Sequence, residues 1–182
     1  MKKDAHDNGY IKLVIGWGAV FLFRFLLLPF RPPNVEPMMA TLMPFSKRFG
    51  ALTSFFFAAI GIVLYDSVTS GIGVWTLTTA LAYGLVGVAS HWYFATREAT
   101  VRNFVVFGVM ATLAYDAVTG LTLGPILFHV PFMMALAGQI PFTILHLLGT
   151  VTFAVTLSPA LYRWVVTNKS FEFKSVIKQV RA

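Results

Sequence analysis

An all-α, polytopic membrane bundle of about six transmembrane helices is the fold this sequence predicts, and three observations predict it. The 182 residues are 57% hydrophobic and only 12% charged, with a mean hydropathy of +0.75. A soluble domain carries about 25% charged residues, so this chain has too few to cover a water-facing surface. Its apolar residues fall into runs near bilayer-crossing length, about 20 residues with a range of roughly 17–25. Its Lys and Arg collect at the chain ends and in short loops between those runs, as membrane topology demands. The expected unit is a single integral membrane domain over residues 1–182.

The first apolar run, Leu13–Phe30, follows Lys2, Lys3 and Lys12. No small-x-small cleavage site follows it, so it is expected to stay as a helix. The second, Val35–Phe45, is short: a thin or tilted crossing, or a half-helix. The third and fourth, Phe49–Tyr65 and Val74–Phe94, are long enough to span. Within the fourth, Ala80, Ala82, Gly84, Gly87 and Ala89 read as helix-packing positions. The fifth is Phe104–Tyr115. The last, Leu121–Val166, is too long for one helix, and Gly138-Gln139-Ile140-Pro141 is the expected break. Residues 121–139 would then be a long outer loop or re-entrant segment before a last helix from Ile140 to Trp164.

Charge selects the path. If the N-terminus is cytoplasmic and Val35–Phe45 crosses, Lys47, Arg48, Arg97, Arg102 and Arg163 all return to the cytoplasmic side. Making Val35–Phe45 a loop would put the first four outside, against the positive-inside rule. The expected protein is therefore multi-pass in the cell membrane, with cytoplasmic N- and C-termini. Residues 167–182 read as a basic amphipathic cytoplasmic tail. There Phe171, Phe173, Val176, Ile177 and Val180 alternate with Lys174, Lys178 and Arg181, as in a helix lying on anionic membrane lipid. Trp75, Trp92, Tyr162 and Trp164 fall at the predicted interfaces.

Several functions are excluded. With no cysteine there are no disulfides, thiolate metal sites or Cys nucleophiles. The net charge of +7 forms no basic face with interleaved aromatics, so no nucleic-acid partner is expected. No Walker loop, phosphate-binding glycine loop or nucleophile triad is present. His91, His129 and His146 offer no i, i+4 pair, so neither metal nor other cofactor is expected.

The unusual polar chemistry collects on the outer side. Tyr65-Asp66-Ser67-Val68-Thr69 reappears as Tyr115-Asp116-Ala117-Val118-Thr119, each at the outer end of a helix and each followed by glycines. Internal repeats are common in transporters, with the site at the repeat interface. A carboxylate at a helix C-terminus opposes the macrodipole. Asp66 and Asp116 therefore either bond backbone N–H groups of the following turn or point into a cavity and hold a ligand. Arg24, within the first helix, must snorkel or pair; Glu36, Asp66, Asp116 or an anionic ligand group are its candidate partners. His129 and His146, with Gln139 and Thr143, could line one pocket, and Trp75 could cover it.

Taken together, Pro32-Pro33-Asn34-Val35-Glu36-Pro37-Met38 with Lys47-Arg48-Phe49-Gly50, Leu64-Tyr65-Asp66, and Gly138-Gln139-Ile140-Pro141-Phe142-Thr143 with His146-Leu147-Leu148-Gly149 resemble the substrate-binding S component of an energy-coupling factor (ECF), vitamin-type transporter. The resemblance runs from the first helix to the last. It implies a non-enzymatic subunit that captures a vitamin-like small molecule in an outward-facing pocket. It also implies a partner energy-coupling module, a transmembrane scaffold subunit plus two ATPases, on which the protein topples to release its cargo. One departure is that Gly16, Gly18 and Ala19 do not form the Ala-x-x-x-Ala docking pattern of many members. The ligand-binding residues expected are Asn34, Glu36, Tyr65, Asp66, Trp75, Tyr115, Asp116, His129, Gln139 and His146. Two other readings stand beside this one: a structural or assembly subunit of a membrane complex, and a membrane enzyme acting on a lipid-linked substrate.

Overall fold

Six helices run through the residues described by this computed structural model, 9–26 and 32–171. They are α1 (Tyr10–Leu26), α2 (Met38–Arg48), α3 (Ala51–Ser67), α4 (Val74–Ala95), α5 (Val101–Phe128) and α6 (Phe132–Val166). A single 3-10 turn, Lys169–Phe171, follows, and no strand occurs among the described residues. Arg31 and the tail beyond Phe171 lie outside them.

Helix boundaries follow punctuation in the sequence. Pro37 precedes α2, because a residue with fixed φ and no N–H suits a helix start; this moves the expected onset from Val35 to Met38. Gly50 and Gly73 precede α3 and α4, and Thr100 caps α5 by accepting from the Asn103 N–H at 3.3 Å. The expected break at Gly138–Pro141 does not occur. α6 runs straight through it, with Pro141 inside the helix. The reversal comes earlier, at His129-Val130-Pro131, where His129 adopts a left-handed φ of 53° and Pro131 starts the next helix.

Residues 121–139 are therefore not a long loop but a helical hairpin. α5 continues beyond Tyr115 because a π turn over Thr119–Leu123 absorbs one extra residue. The hairpin arms, of 28 and 35 residues, measure about 42 and 52 Å at 1.5 Å per residue. Both are long and apolar enough to cross a membrane.

An apolar core is enclosed by helices whose outer faces are also apolar. Leu52, Phe56, Ile60 and Leu64 of α3, and Leu77, Leu81 and Leu85 of α4, form four-residue stripes that face outward. The inward face of α4 carries Thr76, Thr79, Tyr83 and Ser90. A large contiguous exposed apolar surface marks a partner or a membrane. Close helix contacts use the expected glycines: a Cβ on Gly87 would lie 2.5 Å from the Ser54 carbonyl, and one on Gly84 would strike the Phe55 ring.

The short helix α2 is enclosed by the others. Every residue from Met38 to Ser46 is buried, as expected of a helix apolar on all sides. Pro44 cannot donate to the Ala40 carbonyl, and the Ser158 hydroxyl of α6 donates to that oxygen instead, at 2.7 Å. Such a neighbouring hydroxyl is what makes a proline tolerable inside a buried helix.

Charge separates the two ends of the bundle. At one end Lys12 donates to the Val166 carbonyl, and Lys47 donates to those of Phe94 and Arg97. At the other end lie Arg24, Glu36, Asp66 and Asp116, and with them the aromatic and histidine groups described next.

Candidate ligand cavity

Five helices and one loop converge at the acidic end. Asn34, at φ 65°, turns the 32–37 segment inward, and Gly149 of α6 lets that segment pass. A Cβ on Gly149 would sit 2.9 Å from both the Val35 Cα and the Glu36 N. Glu36 therefore arrives just ahead of α2, where its Oε2 accepts the Met38 N–H at 3.0 Å. A carboxylate at a helix N-terminus is favoured by the macrodipole.

Glu36 is the hub. Its Oε2 also meets Arg24 Nη2 at 3.1 Å, and its Oε1 accepts the Tyr83 hydroxyl at 2.6 Å with His146 Nε2 3.8 Å away. Arg24 thus pairs with Glu36, the first of its candidate partners, and its guanidinium lies 4.0 Å over the Tyr65 ring. Its Nε and Nη1 are buried without hydrogen-bond partners. On the far side of His146, Nδ1 lies 2.8 Å from Asp116 Oδ1. Because a carboxylate only accepts, Nδ1 carries the proton. Thr143 donates to Asp116 Oδ2 at 2.7 Å, and Gln139 donates to Thr143 at 3.1 Å. One continuous polar chain thus joins α1, α4, α5 and α6 through the interior.

The repeated motif has a structural counterpart. Thr69 and Thr119 each donate to the tyrosine carbonyl four residues back, both at 2.8 Å. Neither aspartate side chain holds the following turn as one of the two expectations had it. Asp66 accepts from Thr76 of α4 at 2.7 Å, and Asp116 from Thr143 of α6. Each carboxylate pins its own helix to the next one.

Above this network opens a cavity of about 270 Å³. Seven of the ten expected residues line it: Asn34, Glu36, Tyr65, Asp66, Trp75, Tyr115 and His146. Asp116 stands behind the wall, bonded to His146, and Gln139 lines an adjoining cavity instead. His129 is exposed at the hairpin tip and lines neither cavity, because its left-handed backbone is spent on the chain reversal. His91 lies at the opposite end of the bundle, its Nδ1 3.0 Å from the Ser46 carbonyl.

Arg24, Ile62, Thr79, Tyr83 and Phe142 complete the wall and were not among the expected ligand contacts. Tyr83 is the most consequential omission, since its ring packs 4.4 Å from that of Tyr115 and its hydroxyl holds Glu36. The signal is present as Thr76, Thr79 and Tyr83, polar residues spaced i, i+3, i+7 in the first half of α4. Among the described residues, the charged groups lining the cavity are Arg24, balanced by Glu36, and Asp66, which stands in excess among five aromatic faces. No group of three or more His, Asp or Glu side chains able to hold a metal occurs among the described residues. Comparison of the chain with protein-family models, with curated proteins and with solved structures finds no match.

Proposed function

We propose that this chain is a multi-pass membrane protein that captures a small cationic or N–H-rich molecule in the cavity at its acidic end, as the binding subunit of an importer. The observation that carries this reading is the cavity itself, with one unbalanced carboxylate among five aromatic rings. Aromatic faces attract cations, by about 0.5–1 kcal/mol at exposed sites and about 2 kcal/mol or more when desolvated. The unpaired Nε and Nη1 of Arg24 add a place where a ligand acceptor would offset the cost of buried donors. A cationic heterocycle bearing an exocyclic oxygen or a ring nitrogen suits both features, within the vitamin-like class that the ECF S-component resemblance implies.

The membrane reading draws on the outward apolar stripes, the two long apolar helices and the basic end. With the basic end cytoplasmic, the cavity faces outward. Docking on a scaffold subunit with two ATPases belongs to the same proposal. Gly16 is not available to such a partner, because Phe45 and Phe57 fill the space beside it, whereas Gly18 faces open space.

The test is extraction and mass spectrometry of small molecules from gently purified protein, followed by titration of the species found. Wild type should retain a small cationic or N–H-rich molecule, and Asp66→Asn and Trp75→Ala should each lose at least tenfold in affinity. Undiminished binding in both variants would remove the assigned cavity. The Asp116–His146 contact also supplies what a general base needs, so a membrane enzyme on a lipid-linked substrate is the second reading. Turnover by the isolated protein would favour it.

A further inference from the structure

We infer that the site is bipartite and that its ligand is amphiphilic, a cationic head followed by an apolar extension that occupies a second chamber. This rests on the reading of the first cavity as a binding site. A second cavity, of about 420 Å³, lies between the start of α4 and the tip of the α5–α6 hairpin, and shares Trp75, Tyr115 and Phe142 with the first. Those three side chains form the neck between a charged chamber and an uncharged one.

Among the described residues, no Asp, Glu, His, Lys or Arg lines the second chamber. Two of its polar groups turn away into local bonds: Gln139 Nε2 donates to Thr143, and the Thr119 hydroxyl donates to the Tyr115 carbonyl. Much of the wall is glycine, at 120, 124 and 138. At Gly120 a Cβ would overlap the Gln139 amide as it is placed, so a side chain there would require that amide to move. The π turn in α5 and the ring contact between Trp75 and Phe128, 5.8 Å between centroids, set the chamber's outer side. A volume with a mostly apolar lining and no charged side chain among the described residues, opening from a cation-selective chamber, fits the apolar part of the same molecule.

The experiment uses n-alkylamines, from ethylamine upward, titrated calorimetrically into the full chain in phosphatidylcholine nanodiscs. Gly138→Trp sets a bulky ring on the chamber wall, at a position where a Cβ meets nothing within 4 Å. In wild type each added methylene should tighten binding about fourfold until the chamber is full. In Gly138→Trp that gain should vanish while ethylamine binding stays unchanged, and Met134→Ala should extend the series in the other direction. Asp66→Asn should weaken every member equally. Parallel chain-length gains in wild type and Gly138→Trp would assign them to the bilayer and overturn the second chamber. Short and long amines binding alike would also overturn it, while leaving the first cavity intact. Absence of binding by any amine in wild type would overturn the cationic head, and with it both chambers. Release of a phospholipid by Gly138→Trp, with no change in the amine series, would give the chamber to a lipid chain and refute the inference.

Discussion

Replacing Glu36 with Gln should be the most destabilising single change at the acidic end. The substitution keeps one oxygen, for either the Met38 N–H or the Tyr83 hydroxyl, sets an NH2 group in place of the other acceptor, and removes the charge 3.1 Å from Arg24 Nη2. Arg24 would keep the Tyr65 ring but lose its ion pair, and two of its nitrogens are already unpartnered. Breaking one side of a buried pair costs about 3–5 kcal/mol, whereas replacing both partners with apolar or neutral groups is often close to neutral. At about 2–4 °C per kcal/mol for a chain of this size, Glu36→Gln should lower Tm by about 6–20 °C. Adding Arg24→Met should restore most of that loss. The assay is thermal unfolding of both single variants and the double variant in one detergent or nanodisc preparation. Loss in the double variant equal to the sum of the singles, within about 0.5 kcal/mol, would refute the assignment of Arg24 and Glu36 as one coupled unit.

Three further outcomes are expected. Gly149→Ala should destabilise by about 1–3 kcal/mol through overpacking, because its Cβ meets the backbone of Val35 and Glu36, whereas Gly18→Ala, facing open space, should be neutral or slightly stabilising; paired melts check both. The chain has no native cysteine, so single cysteines report topology cleanly: Ser70→Cys should react with an impermeant maleimide on intact cells, and Glu98→Cys only after permeabilisation. The reverse pattern would invert the proposed orientation. Thr112→Val, which removes the 2.9 Å hydroxyl pair to Thr150 between α5 and α6, should cost only about 0.6 kcal/mol, measurable by the same unfolding assay.

Much of this arrangement is readable from residues alone, and the failures share a cause. Hydropathy and charge locate α1 to α4 to within a few residues, and the Tyr-Asp motifs mark the end where the cavity lies. Gly138 and Pro141 look like breakers, yet α6 continues through both. Helix interruption is decided by whether neighbours supply hydrogen bonds and space, and neither is visible in a linear pattern. His129 illustrates the same limit, since a histidine beside a proline can be ligand or hinge, and only the backbone angle decides. Tyr83 was overlooked for a different reason. The small residues of α4 draw attention to packing, although the threonines one turn apart on the same helix mark a second, polar face.

The tie between Pro44 and Ser158 bears on how the protein is made. An 11-residue helix spans about 16 Å, roughly half the hydrocarbon thickness, so on the membrane reading proposed above α2 does not settle in lipid by itself when it leaves the ribosome. The hydroxyl that completes its backbone belongs to α6, synthesised more than a hundred residues later, and Lys12 likewise waits for the carbonyl of Val166. Assembly of the centre is thereby deferred until nearly the whole polypeptide has emerged. A chain truncated before Ser158 should be cleared by membrane proteases rather than accumulate as a partly working form.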